Sequence, residues 1–228
     1  MAKITRRRRS NYPKLSKEGA KYGSVLIVAC DAQSLETQGH RLAQDMYDRV
    51  DTMAPMAIRQ MVRSTSEQSL GSEFARCLDV SPRFDLVVLV GHSNVHGLRL
   101  TADGPRTWKV VAEWIKRFRP KLLLLVACEG GRWLPCRELF GGIPTLREIY
   151  GSPIRISDSQ ASALTLLAPY LLLGGRLPED IRFLQTANVV ATGGLIFRRS
   201  KSEFRQTGAE EGTVWAVFGE VFRTLLAG

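Results

Sequence analysis

The 228-residue chain is 44% hydrophobic and 24% charged, proportions of an ordinary folded protein that exclude disordered and collagen-like classes. Its length suits one α/β domain, since a single core grows comfortably to this size before a chain splits. The formal net charge of +10 is concentrated at one end: residues 1–22 hold eight positive side chains, Arg6 to Arg9 among them, against Glu18, which leaves +3 elsewhere.

That basic tail is expected to be flexible and solvated, with nucleic-acid phosphates as its alternative partner. No apolar stretch follows its arginines, so it does not read as a secretory signal, and a cytoplasmic protein is expected. The four cysteines lack C-x-x-C spacing and the density of a disulfide scaffold, and three histidines are too scattered for a zinc site. Residues 163–173 are the most apolar later stretch, but they fall well short of the ~20 residues that span a bilayer and contain Pro169. No membrane partner is expected.

In chain order, residues 24–30 (SVLIVAC) form a short apolar run that predicts a strand, followed by an amphipathic helix over 34–50. Residues 57–62 are a weaker strand and 69–78 a short helix. Residues 85–90 (DLVVLV) are a near-continuous apolar strand ending in Gly91-His92-Ser93. A helix over 107–118 is stopped by Pro120, and 121–127 (KLLLLVA) is a second buried strand. Then come a glycine-rich loop at 129–132, a helical segment at 145–150, a strand at 153–157 and a helix over 160–173. Pro178 opens another helix, and a strand at 189–198, a polar loop at 200–211 and a last helix near 212–226 close the chain.

Strands alternating with helices predict a six-stranded, mostly parallel sheet with helices on both faces, because each crossover packs its helix back onto the sheet. Two helices separate the fifth and sixth strands, which would turn the last strand antiparallel. Residues 1–22 are thus expected to be a tail and 23–228 one domain.

In such a sheet, functional side chains gather beyond the carboxyl ends of the strands. Those ends carry Cys30-Asp31, Gly91-His92-Ser93-Asn94, Ala127-Cys128-Glu129 and Ser157-Asp158. His92 and Cys128 lie thirty-six residues apart, one crossover, so if their strands are neighbours they sit about 4.8 Å apart at one rim. A thiol attacks as thiolate, and an imidazole that titrates near neutrality is the partner that makes one. Backbone N–H groups of Ser93 and Cys128 can then serve a tetrahedral oxyanion. The competing reading is that a strand-end cysteine is a small core hydrophobe. Cys30 shows it, since Val28-Ala29-Cys30 nearly copies Val126-Ala127-Cys128 with no histidine on an adjoining predicted strand. Cys77 and Cys136 read as core or loop thiols and His40 as a helix-surface residue. His96, which precedes Gly97, is the rival base, but it lies beyond the strand and reads as a loop residue.

With these residues in view, the segment LVVLVGHSNVHGLRLTADG, the helix TWKVVAEWIKRF and the strand KLLLLVACEGG resemble the caspase-like (clan CD) cysteine peptidases of the CHAT group. The resemblance implies a three-layer caspase-like fold, His92 as general base, Cys128 as nucleophile, and Ser93 and Cys128 as oxyanion donors. Gly97 and Asp103-Gly104 match that family's hairpin. One departure is Ser93, where the family has glycine. The resemblance further implies an endopeptidase that needs no metal or organic cofactor, acts on a protein substrate, answers to an activating protein partner and cuts beside a charged pocket. Asp31 and Asp158 are the acidic candidates for that pocket, unless each caps the helix that follows it.

Two other classes compete. Gly91-His92-Ser93 resembles the start of a G-x-S-x-G elbow with Ser93 as a serine-hydrolase nucleophile, but the fifth position is Val95 and no histidine follows His96. A non-catalytic caspase-like interaction module, with an incidental cysteine, is the other.

Overall fold

The computed structural model describes residues 23–30, 38–64, 66–165, 167–173, 197–202 and 204. Its first strand is β1 (Ser24–Cys30), buried at every position. Helix α1 (Gln38–Met53) leads to β2 (Ile58–Arg63), and α2 (Glu67–Val80) leads to β3 (Leu86–Gly91). Three short strands follow, β4 (Ser93–Asn94), β5 (Gly97–Thr101) and β6 (Gly104–Thr107), and pair antiparallel as a separate small sheet. Helix α3 (Trp108–Ile115) and a 3-10 turn then lead to β7 (Leu122–Val126). Helix α4 (Trp133–Gly142), β8 (Glu148–Gly151), α5 (Asp158–Leu164), α6 (Leu167–Leu173) and β9 (Phe197–Ser200) complete the described elements.

Five parallel strands in the order β2-β1-β3-β7-β8 make the central sheet, and β9 pairs antiparallel along β8. The order follows from burial. β1, β3 and β7, the strands with continuous apolar runs, are almost wholly buried, while β2, whose sequence IRQMVR is half polar, lies at the edge.

Side-chain alternation divides the apolar residues between the two faces of the sheet. Leu26, Val28, Val87, Leu89, Leu123 and Leu125 pack with Phe74 of α2, Val111 and Ile115 of α3 and Leu139 of α4. Val25, Ile27, Val88, Val90, Leu124 and Val126 pack with Met46 and Val50 of α1 and with Leu164 and Leu171 of α5 and α6. Edge-on contacts of Phe74 with Phe118 and Trp114, at centroid distances of 5.0 and 6.3 Å, extend the first cluster. Truncating any one of the buried leucines to alanine would cost about 2–5 kcal/mol.

At the amino ends of the strands, buried Asp85 fastens three of them together. Its Oδ2 accepts the Gly23 N–H at 3.0 Å, and Lys121 Nζ lies 2.8 Å from Oδ1. Its carbonyl accepts the N–H groups of Lys121 and Leu122. Burial pushes the Asp85 carboxyl up, but the Lys121 ammonium, the Gly23 N–H and the charge of Arg83 together hold it below the usual carboxylate value.

Several expectations are corrected. The segment 145–150 does not form a helix: residues 148–151 are β8, paired with β7 from Leu122↔Glu148 to Leu125↔Gly151, so sheet pairing overrides local helix preference there. The expected strand at 153–157 is instead a connection between β8 and α5. Helix α4 takes in residues 133–142, with Pro135 in its first turn, where no intrahelical N–H is needed. The expected helix over 160–173 is two helices, because Pro169 lacks an N–H and crowds the carbonyl of Thr165, at the break. His40 is 2% exposed rather than on the surface. The sixth expected strand overlaps β9 only at Phe197 and Arg198. The basic tail, residues 189–196, the helix from Pro178, most of the polar loop and the last helix lie outside the described residues.

Candidate active site

The strand pairing sets the geometry of the rim. β3 and β7 are direct neighbours in constant register, from Leu86↔Leu122 to Val90↔Val126, an offset of thirty-six residues. His92 and Cys128 each stand two residues beyond the last of these pairs, so the two chains leave the sheet side by side at the same level. A direct bond ties the two exits together: the Ser93 hydroxyl donates to the Cys128 carbonyl.

Gly91, just before His92, is set by close packing. A Cβ there would stand 2.7 Å from the Cys30 carbonyl oxygen, on the residue it pairs with in β1. After His92 the chain turns into the small sheet. The Arg99 N–H donates to the His92 carbonyl at 2.9 Å, and Trp108 Nε1 donates to the Asn94 carbonyl at 3.0 Å. Asn94 Oδ1 accepts the N–H groups of His96 and Gly97 and so closes the turn that holds His96. Both His92 and His96 are exposed, but only His92 borders the β3 exit; His96 sits at the tip of that turn.

Cys128 opens a tight turn that is zipped to the connection after β8. The Glu129 N–H donates to the Ile154 carbonyl at 2.9 Å and the Gly131 N–H to the Ser152 carbonyl at 2.8 Å. The Ile156 N–H points at Cys128 Sγ at 3.4 Å, and Sγ lies 3.8 Å from the Ile156 carbonyl oxygen. Of the four cysteines, Cys128 is partly exposed, whereas Cys30, Cys77 and Cys136 are buried. Burial pushes the Cys77 thiol up to about 11. Cys30 has its Sγ 3.4 Å from the Val28 carbonyl and belongs to the core under the opposite face from Val90 and Val126.

Asp158 is exposed and is the first residue of α5. It follows β8 by seven residues rather than ending a strand, yet it stands two residues after Ile156, whose backbone contacts the Cys128 sulfur. The capping at this helix belongs to its neighbours. The Ser157 N–H donates to Gln160 Oε1 at 2.7 Å and the Gln160 N–H to Ser157 Oγ at 3.4 Å, a reciprocal pair in which Asp158 takes no part. Asp31 lies outside the described residues.

Glu129 is a further residue of the site that no sequence motif marks. It holds a left-handed φ of 57°, and its Oε2 accepts the Val95 N–H at 3.3 Å, so it joins the Cys128 turn to the small sheet. A left-handed glutamate costs about 1–2 kcal/mol, and no sequence pattern announces one; the neighbouring Gly130-Gly131 was its only signal. His40, also missed as a buried residue, has neither ring nitrogen hydrogen-bonded among the described residues.

Among the described residues no cluster of three or more His, Cys, Asp or Glu could hold a metal ion, and no helix is long and apolar enough to cross a membrane. The chain matches no known protein-family model, and no curated protein matches it.

Proposed function

We propose that the chain is a cysteine endopeptidase of caspase-like, three-layer architecture, with His92 as general base and Cys128 as nucleophile. The observation that carries this reading is the pairing of β3 with β7 at an offset of thirty-six residues, the same offset that separates His92 from Cys128. Cys128 is also the partly exposed cysteine, as a nucleophile must be.

In the proposed reaction His92 takes the thiol proton and the Cys128 thiolate attacks the scissile carbonyl. The oxyanion accepts the backbone N–H groups of Ser93 and Cys128. Collapse of the intermediate gives a thioester, with His92 returning the proton to the leaving amine. Water activated by His92 then hydrolyses the thioester. The Ile156 N–H, aimed at the sulfur, is a donor for the anionic form. Asp158, beside this segment, is the candidate for attracting a basic substrate side chain.

The serine-hydrolase alternative loses support because Ser93 lies in β4, paired with Leu98, rather than opening a helix, and its hydroxyl is bonded to Cys128. The interaction-module alternative draws on that same Ser93, whose side chain stands where the resembled family has glycine. A mixed peptide library separates the two. Cleavage that disappears in Cys128→Ala and in His92→Ala, with melting unchanged and Cys30→Ala and His96→Ala active, supports the enzyme; full activity in Cys128→Ala removes the assignment. In Asp158→Asn, cleavage after arginine should fall while melting stays the same.

A further inference from the structure

At the opposite end of the sheet from Cys128 lies an open cavity of about 710 Å³ whose lining includes Arg83, Arg119, Lys121, Arg147 and Lys201. Parallel strands put it far from the candidate active site: the seven residues from Lys121 to Cys128 along β7 span on the order of 20 Å. Its volume falls within the range of small-molecule sites, roughly 300–1,000 Å³.

Its charge is lopsided. Among the described residues Glu148 is the one carboxylate on the lining, and its Oε2 accepts the Tyr150 hydroxyl at 2.6 Å. The nearby Asp85 carboxylate pairs with Lys121. Arg83, Arg119 and Arg147 are exposed, and among the described residues none of them forms a salt bridge. Several positive charges facing one concavity repel one another unless an anion enters.

The cations are also held in place by the backbone that carries them. The Arg147 N–H donates to the Lys121 carbonyl at 2.8 Å, and the Lys201 N–H donates to the Arg147 carbonyl at 2.7 Å. Lys201 Nζ donates to the carbonyls of Ile143 and Pro144, and Thr145 Oγ1 to the carbonyl of Pro120. Segments distant in sequence are thus stitched into one rigid frame, which lowers the cost of ordering the site when a ligand binds.

Arg119 adds an independent observation. It ends the 3-10 turn at φ 52°, ψ 45°, the left-handed conformation usually given to glycine. Pro120 follows it, and a residue before proline prefers extended backbone. A large cationic side chain therefore stands on this lip at a cost in backbone strain.

We propose that this cavity binds a small anion carrying two or more phosphoryl groups. Guanidinium forks match phosphate oxygens in pairs, and such charge-assisted bonds are the strong ones. Among the described residues the lining has no aromatic side chain on which a base could stack, so the phosphate chain is what is recognised. Anion binding here requires no peptidase activity at Cys128.

The test is calorimetric titration of the full chain with sodium tripolyphosphate, with adenosine triphosphate, adenosine and sulfate as comparison ligands. Saturable binding of one tripolyphosphate is expected, with adenosine triphosphate similar and adenosine inert. Arg147→Ala and Arg119→Gly should each weaken it about tenfold or more, and Arg119→Gly should melt no lower than the parent because it relieves the left-handed strain. A variant with Arg6 to Arg9 all replaced by alanine should keep the affinity. Absence of saturable binding, equal affinity for sulfate, or binding lost with the tail arginines but kept in the two pocket variants would overturn the proposal.

Discussion

Replacing Gly131 by alanine probes the turn that presents Cys128. The added Cβ would stand 2.4 Å from the Gly151 carbonyl oxygen, 2.8 Å from its carbon and 3.0 Å from the Ser152 carbonyl carbon, about 1 Å inside ordinary non-bonded contact. All three are backbone atoms, so no rotamer change relieves the overlap. The two segments must part, which weakens the Gly131-to-Ser152 and Glu129-to-Ile154 hydrogen bonds. At about 1 kcal/mol for each bond and 1–3 kcal/mol for overpacking, the loss comes to roughly 3–5 kcal/mol. At about 2–4 °C per kcal/mol for a chain of this size, Tm should fall by roughly 6–20 °C in a thermal melt followed by circular dichroism. Gly71→Ala in α2 is the matched control: nothing lies within 4 Å of its Cβ position, so the helix should gain about 0.5–1 kcal/mol. A Gly131→Ala protein that melts with the parent would refute this packing.

Ser93→Ala removes the hydroxyl bond that joins the two strand exits and should cost about 1 kcal/mol, read as a small fall in the denaturation midpoint. The lowered Asp85 carboxyl contributes stability that is complete above an unfolded carboxylate's value of about 3.9 and is lost as pH falls through its lower folded value; the acid limb of a stability–pH profile should therefore be shallower in Asp85→Asn. Cys77 acts at the other end of the scale. Its thiol, pushed up to about 11 by burial, stays largely protonated in the folded chain while an unfolded thiol ionises, so stability should decline by about 2 kcal/mol between pH 9 and 11, and Cys77→Ser should flatten that decline. With a small alkylating agent at neutral pH, Cys128 should react first, followed by Cys30, Cys77 and Cys136 only on unfolding, as mass spectrometry of the labelled peptides would show.

The strands that carry His92 and Cys128 were legible because central parallel strands are buried on both faces and so read as unbroken apolar runs, LVVLV and LLLLV. The spacing of the pair was legible for the same reason, since adjacent strands joined by one crossover keep a constant offset. Helix α3 was visible from its periodic Val111, Trp114 and Ile115 and the stop at Pro120. Helix α4 was not, because Pro135, Gly141 and Gly142 dilute its pattern, and the strand after it was shifted as a result: Glu148-Ile149-Tyr150 favours a strand only once β7 is there to pair with it. The burial of His40 was equally hidden, since a polar residue near the start of a helix gives no sign of what covers it. Glu129 shows the same limit at the site, because its left-handed backbone is imposed by the zip to residues 152–156.

The pairing of His92 with Cys128 is tested most directly by the rate at which a peptide bearing a thiol-reactive electrophile labels Cys128 in the native protein. Saturable labelling centred on Cys128 is expected, slowed by orders of magnitude in His92→Ala and unchanged in His96→Ala, with both variants melting like the parent. Labelling of Cys128 at the rate of a simple exposed thiol, without saturation and indifferent to His92, would contradict that pairing.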